Sequence, residues 1–313
     1  MGAFSHFPHD ADQIMSLAEE LPDEKPKGYY PYTFRDEAVN EVLYHLIPWF
    51  LPVFFPRYQR DRLYNPLWEY LSYIPKKIRK SGRERYATEV TERLRDTGTP
   101  YHLVILQMQG DYQVRRGAPF TDFDAMVEHI LASFAAHAEP ERQLVLKMHP
   151  LENNLKNWPA MIGRVARQHG IHERVHVIDG GDLGQLYQGC DGVVLLNSTA
   201  GLTALTLGVP VKVLGVAIYD MARLTHQGDL QTFWTAPDAP ERAAVQAFIK
   251  LLIASVQVKG NFFTKEGRGR AVPEFARRLI EGDVNGHGAF VDPPPRLARA
   301  KALGVPMIYE PDA

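Results

Sequence analysis

Five short apolar runs, each ending where a helix can begin, constrain this chain more than any other feature. They occupy residues 101–108, 144–148, 175–178, 192–196 and 209–214, with helical spans at about 122–137, 157–169 and 199–207 between them. Runs that do not alternate with polar residues suit strands buried on both faces, and helical crossovers make neighbouring strands parallel. The pattern predicts an α/β domain over residues 99–282, with a mostly parallel sheet and helices on both faces. The turn-rich Thr97-Gly98-Thr99-Pro100 marks where it starts.

The flanks read differently. Residues 1–35, rich in Pro, Asp, Glu and Lys, predict a loosely ordered lead-in. From 35 to about 95 apolar residues recur at helical spacing, as in Val39, Val42, Leu43, Leu46 and Ile47 and again in Leu67, Tyr70, Leu71 and Ile74. Pro48, Pro52, Pro56, Pro66 and Pro75 cut this stretch into short helices. The expected organisation is a lead-in and helical layer over 1–98, a Rossmann-like domain over 99–282 and a tail over 283–313. Within the domain, further helices are expected at about 239–258 and 273–281. The tail contains Pro293-Pro294-Pro295 and is expected to be extended and exposed.

Composition removes several classes of function. Thirty-five Lys and Arg against 37 Asp and Glu give a net charge of −2, so no global basic field recruits nucleic acid. Cys190 is the single cysteine, which excludes an intrachain disulfide framework and a Cys-based zinc site and fits a reducing, cytoplasmic setting. The first residues lack the charged start and apolar run of a signal peptide. The most apolar stretch, 43–55, carries His45, Pro48 and Pro52 and falls short of the ~20 residues that cross a bilayer. Contact with a membrane surface is as much as it allows. No Gly-x-Gly-x-x-Gly follows the first strand, and neither a Walker lysine motif, a Gly-x-Ser-x-Gly elbow nor a His-Glu-x-x-His pair occurs. Hydride transfer, NTP hydrolysis, serine hydrolysis and a metal centre all lose ground.

In an open α/β sheet, ligands sit beyond the carboxyl ends of the strands, where helix N-termini present unpaired N–H groups. Three strand ends carry suitable residues. Asn197-Ser198-Thr199-Ala200-Gly201 follows the fourth run, and its small and hydroxylated residues suit a phosphate, although Ser and Thr are good helix caps with or without one. His149-Pro150 follows the second run, where the proline biases the histidine away from helical geometry and an imidazole N–H can meet a phosphate or a leaving oxygen. A purely structural turn has the same sequence. Gln107, Gln109, Asp111, Tyr112 and Gln113 follow the first run and suit a base or sugar edge, or simply a turn. The basic Lys76-Lys77-Ile78-Arg79-Lys80, downstream of Tyr58, Tyr64, Trp68 and Tyr70, reads as a solvated helix face or as a contact for anionic headgroups or acidic glycan.

These pieces in their order resemble the capsule polysaccharide biosynthesis and export family of the KpsS/LipB type. The series comprises Leu106-Gln107 with Asp111, Lys147-Met148-His149-Pro150, the run from Asn197 through Leu205 with Gly208-Val209-Pro210-Val211, and Leu214 through Asp220. Thr225-His226-Gln227-Gly228 with Thr232-Phe233-Trp234 and Gly260-Asn261-Phe262-Phe263 complete it, over residues ~100–270. The resemblance implies the donor half of a GT-B glycosyltransferase, inverting, that takes the deoxyoctulosonic acid Kdo from CMP-Kdo and adds it to a phosphatidylglycerol-linked Kdo acceptor for capsule assembly. It implies that His149 contacts the CMP phosphate, that Asn197, Ser198, Thr199 and Gly201 cradle it, and that Gln107 and Asp111 line the nucleotide or sugar pocket. No cofactor and no metal are implied, since CMP carries a single phosphate.

The acceptor half of a GT-B enzyme has no counterpart in residues 1–98, which are expected to form the connector, so the general base stays unassigned and Asp36 or Glu41 would be guesses. Two further readings remain. One is a non-catalytic partner in a capsule biosynthesis and export complex. The other is a sugar-nucleotide epimerase, for which no grouped carboxylates are seen. The expected location is cytoplasmic, with peripheral contact at the inner membrane as an option.

Overall fold

Strand propensity and helical crossovers produce one parallel sheet. The computed structural model describes residues 2–22, 54, 66–108, 110–111, 114, 118–120, 122–153, 155–262, 264–283 and 285–305, with only the backbone at 66–70. The strands are β1 Tyr101–Ile105, β2 Gln143–Lys147, β3 Val175–Ile178, β4 Gly192–Leu195 and β5 Val211–Val213, ordered β3-β2-β1-β4-β5. Leu103 of β1 lies opposite Val145 of β2 and Val193 of β4. The chain steps from β1 outward to β3, then crosses back to add β4 on the other side of β1. The gap between the ends of β1 and β4 is therefore the topological switch point, where such sheets open a crevice.

Alternation along each strand divides the core in two. Leu103, Val145 and Val193 face one side, with α3 (Lys80–Thr97), α6 (Leu183–Gly189), α7 (Ala200–Thr206) and α9 (Arg242–Ser255) contributing Val90, Leu186, Ala204 and Phe248. Val104, Leu144 and Val194 face the other, covered by α4 (Phe123–His137), α5 (Trp158–Gln168) and the short α8 (Leu230–Phe233). Both long helices on that side start as the sequence dictates: Asp122 accepts from the Ala125 N–H at 2.8 Å and Asn157 from the Ala160 N–H at 3.1 Å. All five expected strands form, each within a few residues of its expected span. Helix α6 was not anticipated.

The flanks depart further from expectation. Within the lead-in, α1 (Ala11–Glu19) is capped by Asp10, which accepts from the Gln13 N–H at 2.8 Å. Phe7, Ala11, Ile14 and Leu21 are buried in the same core as α9, so this segment is packed rather than loose. The tail is also tied down: it forms α11 (Leu297–Ala302), and Arg296 just before it is completely buried. Helix α10 (Lys265–Glu281) begins well ahead of Pro273, because Thr264 accepts from the Gly267 N–H at 3.0 Å and fixes the earlier start. Of the helical layer, α2 (Pro66–Ile78) and α3 are seen. The helices expected before residue 66, the apolar stretch 43–55 apart from Phe54, and Asp36, Glu41, Tyr58 and Tyr64 lie outside the described residues. Among the described residues no helix is long and apolar enough to cross a membrane.

Candidate functional site

Three strand ends meet on one edge of the sheet. Gln107 follows β1, His149 follows β2, and Asn197 with Ser198 follows β4. Because β2 and β4 both pair with β1, Gln107 lies between the other two. At ~4.8 Å per strand, the backbones of β2 and β4 are about 10 Å apart. The Gln107 Nε2 donates to Asn197 Oδ1 at 2.9 Å, and the Asn197 backbone N–H donates to Gln107 Oε1 at 3.1 Å. One side-chain amide thus bridges the switch point with both of its ends. The sequence singled out both residues but not the bond between them.

His149 is half-buried, and its Nδ1 accepts from the Leu151 N–H at 3.1 Å. A neutral ring so engaged carries its proton on Nε2. Burial first, then the Lys76 ammonium, push its pKa below the ordinary value; the Asp111 carboxylate opposes them and Lys147 adds to the depression. The ring is therefore neutral at neutral pH and offers an Nε2–H. The loop carrying it is clamped by α2: Lys76 Nζ donates to the carbonyls of Pro150 and Glu152, each at 2.8 Å, and the Tyr73 hydroxyl donates to the Leu151 carbonyl at 2.7 Å. Lys147, just upstream, is buried and donates to the Gly180 carbonyl at 2.8 Å. Asp111 is close enough for its charge to be felt at His149; Gln109, Tyr112 and Gln113 lie outside the described residues.

The turn after β4 is built differently from the expected open cradle. Helix α7 starts at Ala200, and Thr199, at the cap position, makes no side-chain cap bond. Ser198 Oγ accepts from the Ala200 N–H at 3.2 Å, Ser198 O from the Gly201 N–H at 3.1 Å and Thr199 O from the Leu202 N–H at 3.0 Å. The first amides of α7 are thus engaged within the turn, and Thr199, which is exposed, is the outward-facing residue of the group. From inside, the Tyr219 hydroxyl donates to the Ser198 carbonyl and the Tyr187 hydroxyl to the Ala200 carbonyl, the latter at 2.8 Å. A Cβ at Gly201 would collide with the Tyr219 hydroxyl, which explains the glycine. Neither tyrosine nor Lys76 was assigned a supporting role from sequence. Tyr219 stands within the motif series, which was the one signal available.

Among the described residues no three His, Cys, Asp or Glu side chains gather as a metal site. Cys190 is half-buried, and burial aided by Asp191 pushes its thiol up to about 12, so it is a poor nucleophile.

A family profile described as "Capsule polysaccharide biosynthesis protein" matches residues 1–263. The chain belongs to the capsule polysaccharide biosynthesis protein family. The match takes in the region upstream of the motif series as well as the sheet domain. Among curated relatives, the chain is 28% identical over 264 residues to the capsule polysaccharide export protein KpsS of Escherichia coli, covering 84% of this chain and 67% of that one. It is 29% identical over 273 residues to the capsule polysaccharide modification protein LipB of Neisseria meningitidis serogroup B, covering 85% and 64%. The chain therefore spans about two thirds of the length of these relatives. Among solved structures, the Thermosulfurimonas dismutans KpsC beta Kdo 2,7 transferase overlays with a TM-score of 0.34 at 20% identity, covering 53% of this chain and 51% of that one. Anabaena Alr3699/HepE in complex with UDP-glucose overlays with a TM-score of 0.31 at 13% identity, covering 69% and 51%.

Proposed function

We propose that this family member is the donor-binding part of a GT-B glycosyltransferase of capsule assembly, taking Kdo from CMP-Kdo for transfer to a lipid-linked acceptor. One observation carries the reading: a neutral imidazole with Nε2–H to offer and the Ser198-Thr199 turn stand on one sheet edge, with the Gln107–Asn197 bridge between them. Negative charge grows on the phosphate as CMP departs, and a preorganised N–H donor beside a hydroxyl-bearing turn stabilises it. A phosphate near His149 also favours its protonated form, so binding would strengthen as pH falls. Gln107 and Asp111 are assigned to the rim of the nucleotide or sugar. The choice of CMP and Kdo comes from the motif resemblance, and the capsule setting from the family. Because the chain spans about two thirds of its relatives, turnover by this length of chain is part of the proposal.

Calorimetric titration with CMP and UMP tests it. Preference for CMP, weakened about tenfold or more by His149→Ala, is expected for the loss of one charge-assisted hydrogen bond. Failure to bind either nucleotide, or an unchanged affinity in the variant, overturns the assignment and leaves the non-catalytic partner in a capsule complex as the reading. Incubation with CMP-Kdo and a lipid-linked Kdo acceptor should add one sugar to the acceptor mass. The anomeric configuration of that product then decides between inversion and retention.

A further inference from the structure

A cavity of about 580 Å³ opens between α2, α3, the start of α5 and the ends of β2 and β3. Lys76, Arg79, Arg83 and Lys156 line it, with Asp179 as the lining carboxylate, and Met148 joins it to the strand end that carries His149. We propose that this cavity binds the acidic group, carboxylate or phosphate, of a sugar-sized ligand.

Charge supports the assignment after the carboxylates that pair with or act on the lining cations are counted. Asp179 pairs with Arg83 and lies 3.7 Å from Lys76. Lys156 pairs with Asp124 on α4, outside the lining, and the buried Glu152 acts on Lys76. Four cations then face three anions, and among the described residues Arg79 has no carboxylate partner. The Arg83 Nε–H is buried without a hydrogen-bond acceptor in the wall of this cavity. Burial first, then the Arg83 guanidinium, depress the Lys76 pKa, and Asp179 and Glu152 oppose them. The volume lies within the range of small-molecule sites, about 300–1,000 Å³. The basic run 76–80, which reads from sequence as a solvated helix face or as a contact for anionic headgroups or acidic glycan, thus has two of its cations, Lys76 and Arg79, in the lining of a cavity. In naming a sugar as the carrier of the charge, the inference rests on the transferase reading; the anion site itself does not.

The test titrates glucuronate, inorganic phosphate and glucose into the whole chain, with and without CMP, and repeats it with the double variant Arg79→Gln/Lys156→Gln. These substitutions spare the Lys76 and Arg83 contacts that hold α2 and α3 to the sheet. Saturable binding of glucuronate or phosphate but not glucose is expected, weakened about tenfold or more in the double variant, with CMP affinity unchanged. Phosphate without glucuronate narrows the acidic group to a phosphate, and the reverse to a carboxylate. Absence of binding by either anion, equal binding of glucose, or affinities indifferent to the substitutions overturns the proposal. Loss of CMP binding alone defeats the donor reading and leaves this site standing.

Discussion

Gln107 has one side-chain acceptor and one donor group, and both are spent on Asn197. Gln107→Ala and Asn197→Ala should each cost about 1 kcal/mol in urea unfolding. The double variant should cost less than the sum, because each change alone removes the Gln107 Nε2–Asn197 Oδ1 bond, while the bond from the Asn197 backbone N–H is lost only with Gln107. Additive losses would show that the two residues act independently. The Tyr219 hydroxyl holds the turn from beneath, so Tyr219→Phe should lower stability by about 1 kcal/mol by removing one of the two donors to the Ser198 carbonyl and leaving the Gly201 N–H as the other. CMP binding should weaken in the same variant. Retained affinity would mean that the turn keeps its shape without the tyrosine. The residues at the strand ends were legible in the sequence because their position after an apolar run already places them. Their partners were not: Gln107 and Asn197 are 90 positions apart, and Lys76 and Pro150 are 74 apart, separations that local pattern does not bridge.

At the scale of elements, β1 is buried along its whole length and yet contains His102, whose ring packs 5.1 Å from Trp234 and 5.6 Å from Phe233 between centroids. Burial first, then the Arg142 guanidinium, push this imidazole from 6.5 down to about 4, with the Phe233 backbone opposing them. Above pH 6.5 the ring is neutral in both folded and unfolded chains and adds nothing to pH dependence. As pH falls from 6.5 toward 4 the unfolded chain takes up the proton first, so the folded state loses up to roughly 3 kcal/mol from this group. His9 and His176 are also lowered to about 4 and act in the same direction. His102→Leu should therefore flatten the loss of urea stability between pH 6.5 and 4.5, and an unchanged slope would refute a buried neutral imidazole. The strand itself was readable because His102 is a single polar residue in an apolar run. Helix α6 was not, since Leu183–Gly189 holds two glycines and buries only Leu186 and Tyr187. The strand order was likewise absent from local pattern, because it is set by which crossover returns past β1.

The whole molecule is closed by contacts between its two flanks, and this was the least legible level: a Pro-rich tail and a polar lead-in look exposed until their polar atoms are paired. Arg296, completely buried, donates to the carbonyls of Phe7 at 2.6 Å, Pro8 at 2.7 Å and Ile218 at 2.5 Å. His9 hydrogen-bonds the Asp220 carbonyl at 2.7 Å, the Asp220 carboxylate meets Arg299 at 2.7 Å, and the Val291 N–H donates to the His6 carbonyl at 2.8 Å. One guanidinium thus joins the segment before α1, the loop after β5 and the tail, and burial lowers its pKa only to about 10, so it stays charged at neutral pH. Replacing it with Met, similar in reach but without donors, removes three charge-assisted bonds and strands their carbonyls in the interior. The expected loss is about 3–5 kcal/mol by urea unfolding, with α1 exchanging its amide hydrogens sooner than the sheet. Arg277→Ala is the control: its carboxylate partners on α10 are solvent-exposed, and the unfolding midpoint should barely move. If Arg296→Met shifts the midpoint no further than Arg277→Ala, the flanks are held by the apolar packing of α1 on α9 alone, and the buried arginine is dispensable to the closure.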